Sequence, residues 1–380
     1  MKQILLATRP IVPPWDEASK NFAYFLAKNI RNEDLTMHVL TTPEGLKDMG
    51  TNVILHPLYS KQKTGAKSHY PFLQKARLPL YLFAQSFKYD IVHYLFTPTL
   101  FNAFVIKYFT PFRPKSIQTV ATLREDRYPR NLLKHLFFAD QLATYTDATK
   151  TKLNALGFDN VERIYPGIDL EKYQPRPKSQ AVLDSYNLTP EDFLVVYPGE
   201  YTRLGATDYL VETLIRHFTA PISEPFIFLF ACRIKNEADR VKREEVRERF
   251  RQAGCLEHIR FDDGNATADM ATVYNTADVI AFPVGDLRGK FDVPLVIIEA
   301  YACGKPVILS DLEAFREFSN DQISVTIPRL DDQALIDTIL YLKHNSDTRA
   351  AIGQTARTYA ETHFDLRETA RHYGELYASL

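Results

Sequence analysis

Cysteine is scarce in this sequence. Cys232, Cys255 and Cys303 are the three in 380 residues, and they lie too far apart for a paired motif. That excludes a disulfide framework and a cysteine-based zinc site, and a reducing cytoplasm is the expected compartment. No D-x-D pair of acids occurs, so the chain offers no acidic metal anchor of that kind, and no cofactor lysine motif is recognisable. Long apolar runs are missing too. The longest apolar region, 91–106, is broken by His93, Pro98 and Asn102 and falls short of a membrane-spanning helix. Ile4 to Ala7 follows a single lysine and stops at Thr8 and Arg9, too short for the core of a secretion signal and better read as a first strand. No repeat of fixed period is visible.

What remains is the composition of an ordinary soluble protein, 45% apolar and 24% charged, at a length that one core seldom fills, so two domains are expected. The net charge of −1 conceals an uneven distribution. Residues 1–170 carry 22 Lys+Arg against 14 Asp+Glu, and the remainder is acidic. From Lys61 to Lys88, Lys61, Lys63, Lys67, Lys75, Arg77 and Lys88 follow one another without an acid until Asp90, interleaved with Tyr70, Phe72, Leu78, Tyr81, Leu82 and Phe83. Such a segment suits an anionic membrane, an anionic acceptor or nucleic acid, and equally a solvated helix with its apolar side in the core.

Short apolar runs alternate with helical stretches. Strands are predicted at 3–8, 37–42, 52–58, 90–95, 117–123 and 141–146, then at 193–198, 226–232, 259–262, 278–283 and 307–310. Helices are predicted at 17–29, 206–218, 237–253, 267–277, 294–302, 331–343, 347–362 and 366–380. The rhythm indicates α/β architecture with open, largely parallel sheets and crossover helices. Ligands of such sheets bind beyond the carboxyl ends of the strands. In the first half those loops contain Trp15, Asp16, His93 and Arg124. Trp15 either stacks on a ligand or packs against the sheet, and His93 either reaches a substrate hydroxyl or is a hydrogen-bonded core residue. The polar, proline-bearing RPKSQ that follows Val161 to Pro175 reads as the tail of an interdomain linker.

The stretch KFDVPLVIIEAYACGKPVILSD, Lys290 to Asp311, reads as loop, helix, tight turn and strand. Pro294 fits a first helical turn, Gly304 ends the helix, and Val307 to Leu309 form a buried strand. A helix opening from an acidic loop presents free N–H groups and a positive dipole end, suited to phosphate. Asp292 and Glu299 are seven residues apart, two turns if both are helical, or roughly 10 Å along the axis. Spacing alone leaves open whether Asp292 caps the helix and Glu299 is a solvated acid, or whether both meet a ligand.

Glu299, Ala300, Ala302, Gly304, Pro306, Val307 and Ile308 resemble, residue for residue, the signature E-x-F-G-x-x-x-x-E-A-x-A-x-G-x-P-V-I of retaining GT-B glycosyltransferases of glycosyltransferase family 4. The family's leading Glu falls on Phe291, one position before Asp292. The interdomain segment is similar too: Gly167, Asp169, Tyr173 and Pro175 keep the frame of V-I-P-N-G-V-D-x-x-x-F-x-P. The resemblance implies two Rossmann-like domains whose parallel sheets face across a cleft. These would be an acceptor-side domain 1–167 completed by a C-terminal helix 366–380, and a nucleotide-sugar domain 168–365. It further implies sugar transfer with retention, from a nucleotide-diphosphate sugar to a glycolipid, polysaccharide or protein glycan, without metal. By the same resemblance Glu299 holds the donor ribose and Asp292 faces the sugar. The N–H groups near Val293 to Leu295, on either side of Pro294, face the diphosphate, and Gly264 and Asn265, which follow a predicted strand, are candidates to contact the base.

Two departures stand out. The family's glycine loop reads RPIVPPWDEASKN here, without glycine, and its G-R-x-x-x-x-K-G reads Gly199 to Gly205, GEYTRLG, with Glu200 in place of the Arg. Arg203 is the one cation in that loop and is assigned to the diphosphate as a bidentate donor, with Arg233 and Lys235 as a second cationic pair. The departures motivate an alternative, a degenerate GT-B protein that binds nucleotide or glycan as a scaffold. The sugar-nucleotide signature favours a glycolipid or membrane over nucleic acid as the partner of 61–88, and hence work at the inner face of a membrane.

Overall fold

The computed structural model describes residues 1–12, 18–44, 46, 49–60, 72–96, 99–109, 114–262, 269–287 and 292–380. The chain divides into two compact units, one made of 1–167 with 365–380 and the other of 168–364.

The first unit holds seven strands: β1 (Lys2–Ala7), β2 (Leu35–Leu40), β3 (Val53–His56), β4 (Ile91–Tyr94), β5 (Lys115–Val120), β6 (Gln141–Thr144) and β7 (Val161–Arg163). They form one sheet in the order β3-β2-β1-β4-β5-β6-β7, every pairing parallel. Helices cover both faces, so the central strands are buried on both sides and read as continuous apolar runs. Side chains alternate across each strand. Val92 and Tyr94 of β4 therefore join the cluster containing Leu5, Leu40, Leu82 and Ile106, while His93 points to the opposite face.

The C-terminal helix Leu366–Ser379 packs on that opposite face, against the helix Ala18–Asn29. The amino terminus is tied to it, with Lys2 Nζ donating to Tyr377 O at 3.3 Å and Ala378 O at 2.7 Å. Thr369 donates to Tyr165 O at 3.0 Å, and Gly167 lies so close to the helix that a Cβ there would be 2.4 Å from Leu366 Cα.

The second unit holds β8 (Leu194–Tyr197), β9 (Ile227–Ala231), β10 (Ile259–Asp262), β11 (Val279–Phe282), β12 (Val307–Ser310) and β13 (Ser324–Ile327). Their order is β10-β9-β8-β11-β12-β13, again all parallel. The chain builds outward from β8 to β10, returns, and builds the other way from β11 to β13. The order thus reverses between β8 and β11, the switch point at which open α/β sheets bind ligands.

Two short strands escaped the sequence reading. β7 has three residues and lies in the presumed linker, and β13 has four. The apolar region 91–106 divides into β4 and the start of a helix, Leu100–Phe109.

Candidate functional site

Loops from β8 and β11 meet at the switch point. Gly199 follows β8 under the Tyr197 ring, and a Cβ there would come 1.8 Å from Tyr197 Cζ, so only glycine lets the chain turn at this place. Further on, Leu204 and Gly205 both take the left-handed conformation, with φ 70° and 63°. That bend aims Leu204 O at the β11 loop, where it accepts from Gly285 N–H at 2.7 Å and Asp286 N–H at 3.3 Å. Leucine in this conformation carries a steric cost, and the paired amides together with the burial of its side chain hold it there.

Between Gly199 and Gly205 lies a buried acid. Glu200 is 7% exposed. Its carboxylate pairs with Lys235 on the loop after β9 and with Arg203 Nε at 3.5 Å. Thr202 donates to Asp239 at 2.8 Å. Asp239 also accepts from Lys235 N–H at 3.1 Å, and Asn236 caps the following helix through Asp239 N–H at 3.1 Å. Two half-exposed cations thus converge on one enclosed carboxylate, and with Asp239 beside them the formal charges of the cluster cancel.

The signature helix spans Leu295–Ala302, with Pro294 at its N-cap rather than inside its first turn. Proline has no side-chain acceptor to cap the helix, and of the first-turn amides Ile297 N–H is taken by Pro294 O at 3.0 Å. At the other end Gly304, φ +68°, donates to Tyr301 O at 2.8 Å and Lys305 N–H to Ala300 O at 3.0 Å, the paired bonds of a Schellman cap. The turn presses on the helix Ser346–His363, where a Cβ on Gly353 would sit 2.2 Å from Gly304 O.

Glu299 projects from the middle of this helix. Tyr274 donates to its Oε2 at 3.2 Å, and Tyr173 supplies a second hydroxyl. The residue is half-buried as a whole, but enclosure of the carboxyl pushes its pKa up from 4.5 to about 7. The two tyrosines, Lys172 and Arg233 pull the other way. Desolvation therefore outweighs three kinds of favourable partner, and a proton or a ligand hydroxyl is the natural guest of this carboxylate. The neighbouring Cys303 thiol is pushed up to about 12 by burial, which leaves it unreactive.

The other sequence candidates fall out as follows. Asp292 lies in a bend ahead of the helix, so its seven-residue spacing from Glu299 is not two turns along one helix. Val293 is buried, and Arg233 is exposed beyond β9. His93 is corrected. It is fully buried, with Nδ1 2.6 Å from Tyr377 Oη and Nε2 2.7 Å from Thr119 Oγ1, and burial lowers its pKa to about 3. Both ring nitrogens are engaged inside the core, so it cannot meet an acceptor hydroxyl. Arg124 follows β5 but is held bidentately by Asp126 at 2.8 and 3.0 Å. Trp15, Asp16, Gly264 and Asn265 lie outside the described residues, as do Lys61, Lys63 and Lys67. Sequence reasoning missed the tyrosine pair around Glu299 and the partnership of Glu200 with Lys235. An acid standing where the related enzymes carry a cation was the available signal for the second. Among the described residues no group of three or more His, Cys, Asp or Glu could hold a metal ion.

Residues 193–345 match the family Glycosyl transferases group 1. The chain is 26% identical over 247 residues to the D-inositol 3-phosphate glycosyltransferase of Saccharomonospora viridis, covering 63% of this chain and 55% of that one. It is 34% identical over 121 residues to the phosphatidyl-myo-inositol mannosyltransferase of Mycobacterium leprae, covering 30% and 32%. The chain thus spans about half the length, or less, of the curated relatives it matches. Among solved structures, Anabaena Alr3699/HepE in complex with UDP and glucose superposes with a TM-score of 0.74 at 17% identity over the whole of both chains. WaaG, a glycosyltransferase involved in lipopolysaccharide biosynthesis, superposes with 0.66 at 13% identity over 98% of this chain and 99% of that one. These likenesses give the fold, which is GT-B.

Proposed function

We propose that this chain, which has the GT-B fold and resembles the group 1 glycosyltransferases of family 4, transfers a sugar from a nucleotide-diphosphate donor to a glycan or glycolipid acceptor. Transfer proceeds with retention at the anomeric carbon and without a metal. The observation that carries the proposal is the convergence at the β8/β11 switch point. There the loop with Arg203, the uncapped helix end at Leu295 and the enclosed carboxylate of Glu299 belong to adjacent elements of one unit. Supporting it are the family match over 193–345 and the presence of UDP in the structure of a protein of like fold.

In chemical terms, the donor ribose gives its hydroxyl hydrogens to Glu299, in place of the proton that burial favours there. As the bond from the anomeric carbon to the diphosphate breaks, negative charge grows on the phosphate while the sugar becomes cationic. Arg203, Lys235 and the first-turn amides near Leu295 stabilise that growing charge. Glu200 moderates it, since two of those cations are already paired with it. Strong neutralisation of this kind favours the second reading, a protein that binds nucleotide or glycan without transfer.

Thermal stabilisation by UDP-, GDP- and ADP-sugars, followed by assays of donor hydrolysis and NMR of the product's anomeric configuration, separates the two. A donor that stabilises the chain and is turned over with retention is expected. Stabilisation without turnover against any acceptor would leave the binding role, and no stabilisation by any nucleotide would overturn the transferase and leave only a glycan-binding role.

A further inference from the structure

Two helices of the first unit carry matching apolar stripes that do not face the core. On the helix Phe72–Gln85 and the 3-10 turn after it, Leu80, Phe83 and Phe87 stand at i, i+3 and i+7, exposed by 66, 59 and 61%. On the helix Leu100–Phe109, Phe101, Phe104 and Tyr108 repeat that spacing, exposed by 69, 55 and 64%. The inner sides of both helices pack on one sheet face, Leu82 from the first and Ile106 from the second sharing a core cluster with Val92 and Tyr94, and the helices touch each other. The six outward side chains therefore lie on one side of the unit. Solvent-exposed aromatics at this density mark a binding surface rather than ordinary surface noise.

Charge specifies the kind of surface. Between residues 49 and 124 the sequence has ten Lys+Arg and a single acid, Asp90. That acid is engaged elsewhere, accepting from Gln3 N–H at 2.7 Å where β4 begins. Each stripe ends beside a lysine: Lys88 Nζ lies 5.9 Å from the Phe87 ring centre and Lys107 Nζ 5.7 Å from that of Tyr108. Aromatics that dip below a plane of headgroups, with lysines level with anionic phosphates, is the arrangement of a peripheral membrane surface. A protein partner with an acidic rim would need its own apolar groove, whereas a bilayer supplies both layers at once. Among the described residues no helix is long and apolar enough to cross a membrane, so this face would rest on the bilayer.

We infer that the paired stripes Leu80–Phe83–Phe87 and Phe101–Phe104–Tyr108, with Lys88 and Lys107, dock the first unit on an anionic lipid bilayer. The contact is independent of the transferase reading; it takes the end of the basic segment 61–88 and adds the outer side of the helix Leu100–Phe109.

The test is sedimentation of the full chain with phosphatidylcholine vesicles, with and without phosphatidylglycerol, at low and moderate salt. The original chain should bind only the vesicles containing phosphatidylglycerol, and less as salt rises. Lys88→Glu with Lys107→Glu should lower partitioning at low salt by about tenfold or more. Phe83→Ser, Phe104→Ser and Tyr108→Ser together should abolish it at any salt. Unchanged melting and nucleotide binding would show that the variants are folded and would keep this result separate from the transferase question. Hydrogen exchange on the original chain, needing no variant, should slow at 80–87 and 101–108 when phosphatidylglycerol vesicles are added. Equal binding to both kinds of vesicle, or folded variants that bind like the original, would overturn the inference. So would a dimer of the original chain that the triple serine variant makes monomeric, since the face would then belong to a second copy.

Discussion

Replacing Glu299 by glutamine should make the second unit more stable while weakening what it binds. In the folded chain the carboxyl ionises near pH 7 instead of 4.5, so between those values the folded state holds a proton that the unfolded state has released. Stability then falls as pH rises through this window, and above it the full cost of the buried charge is present. At 1.36 kcal/mol per unit, a displacement of roughly 2.5 units amounts to about 3 kcal/mol at pH 8. Glutamine is neutral at every pH and keeps an oxygen for one tyrosine and an N–H for the other, so it avoids that cost. For a unit of this size the gain corresponds to a melting point about 6–12 °C higher at pH 8, shrinking to nothing near pH 4, where the native carboxyl is protonated in both states. Differential scanning calorimetry across that pH range measures it directly. In the same variant, calorimetric titration should show nucleotide-sugar affinity lower by roughly 1–3 kcal/mol, because ribose hydroxyls lose a charged acceptor. A variant that melts with the original at pH 8, or below it, would refute the account of a desolvated carboxylate. Unchanged nucleotide affinity would remove Glu299 from the ribose.

Arg203→Ala should reduce turnover by roughly 10² if its contact strengthens as the diphosphate departs, and intact turnover would pass the role to Arg233 or Lys235. Glu200→Gln should free Lys235 and Arg203 and tighten the binding of UDP several-fold, roughly, in titration at low salt, with the gain fading as salt rises; weaker binding would mean that the acid is needed to hold the cations in place. Tyr377→Phe leaves a His93 ring nitrogen without its buried partner and should cost the first unit about 1–3 kcal/mol in denaturant unfolding. Because His93 stays neutral down to about pH 3 in the fold, that unit should also lose stability as pH falls below 6.5, where the unfolded imidazole takes up a proton. Gly353→Ala drives a methyl into Gly304 O and should lower the melting point of the second unit by several degrees or more.

The parallel sheets were legible because strands buried on both faces are predominantly apolar, as in Ile4–Ala7 and Leu194–Tyr197. β7 and β13 were hidden by their shortness, and the helix Leu100–Phe109 by apolar residues on its outer side as well as its inner one. Glu299 was singled out by the resemblance of its helix-turn-strand stretch to the family 4 signature, since its spacing left the role open. Its raised pKa was not legible, because that comes from burial, which the packing of segments distant in sequence decides. His93 had two readings, and the structure chose the core one: alternation turns it inward, where Thr119 and Tyr377 hold it, and its acceptor-side role falls away. Glu200 was visible as an oddity, whereas the cation pair around it is a product of the fold alone.

The helix Leu366–Ser379 has a consequence for the order in which the molecule is made. The first unit needs it to cover His93, to close over Gly167 and to hold Lys2, yet those residues are made only after the whole of the second unit. The second unit is continuous in sequence, 168–364, and can fold as soon as it has emerged. The first, although begun earlier, must wait with one sheet face uncovered until that helix follows. A nascent chain should therefore acquire protease resistance in its later-made part first. A chain stopped before Leu366 would carry a finished second unit joined to an unsealed first one, open to chaperones and to degradation.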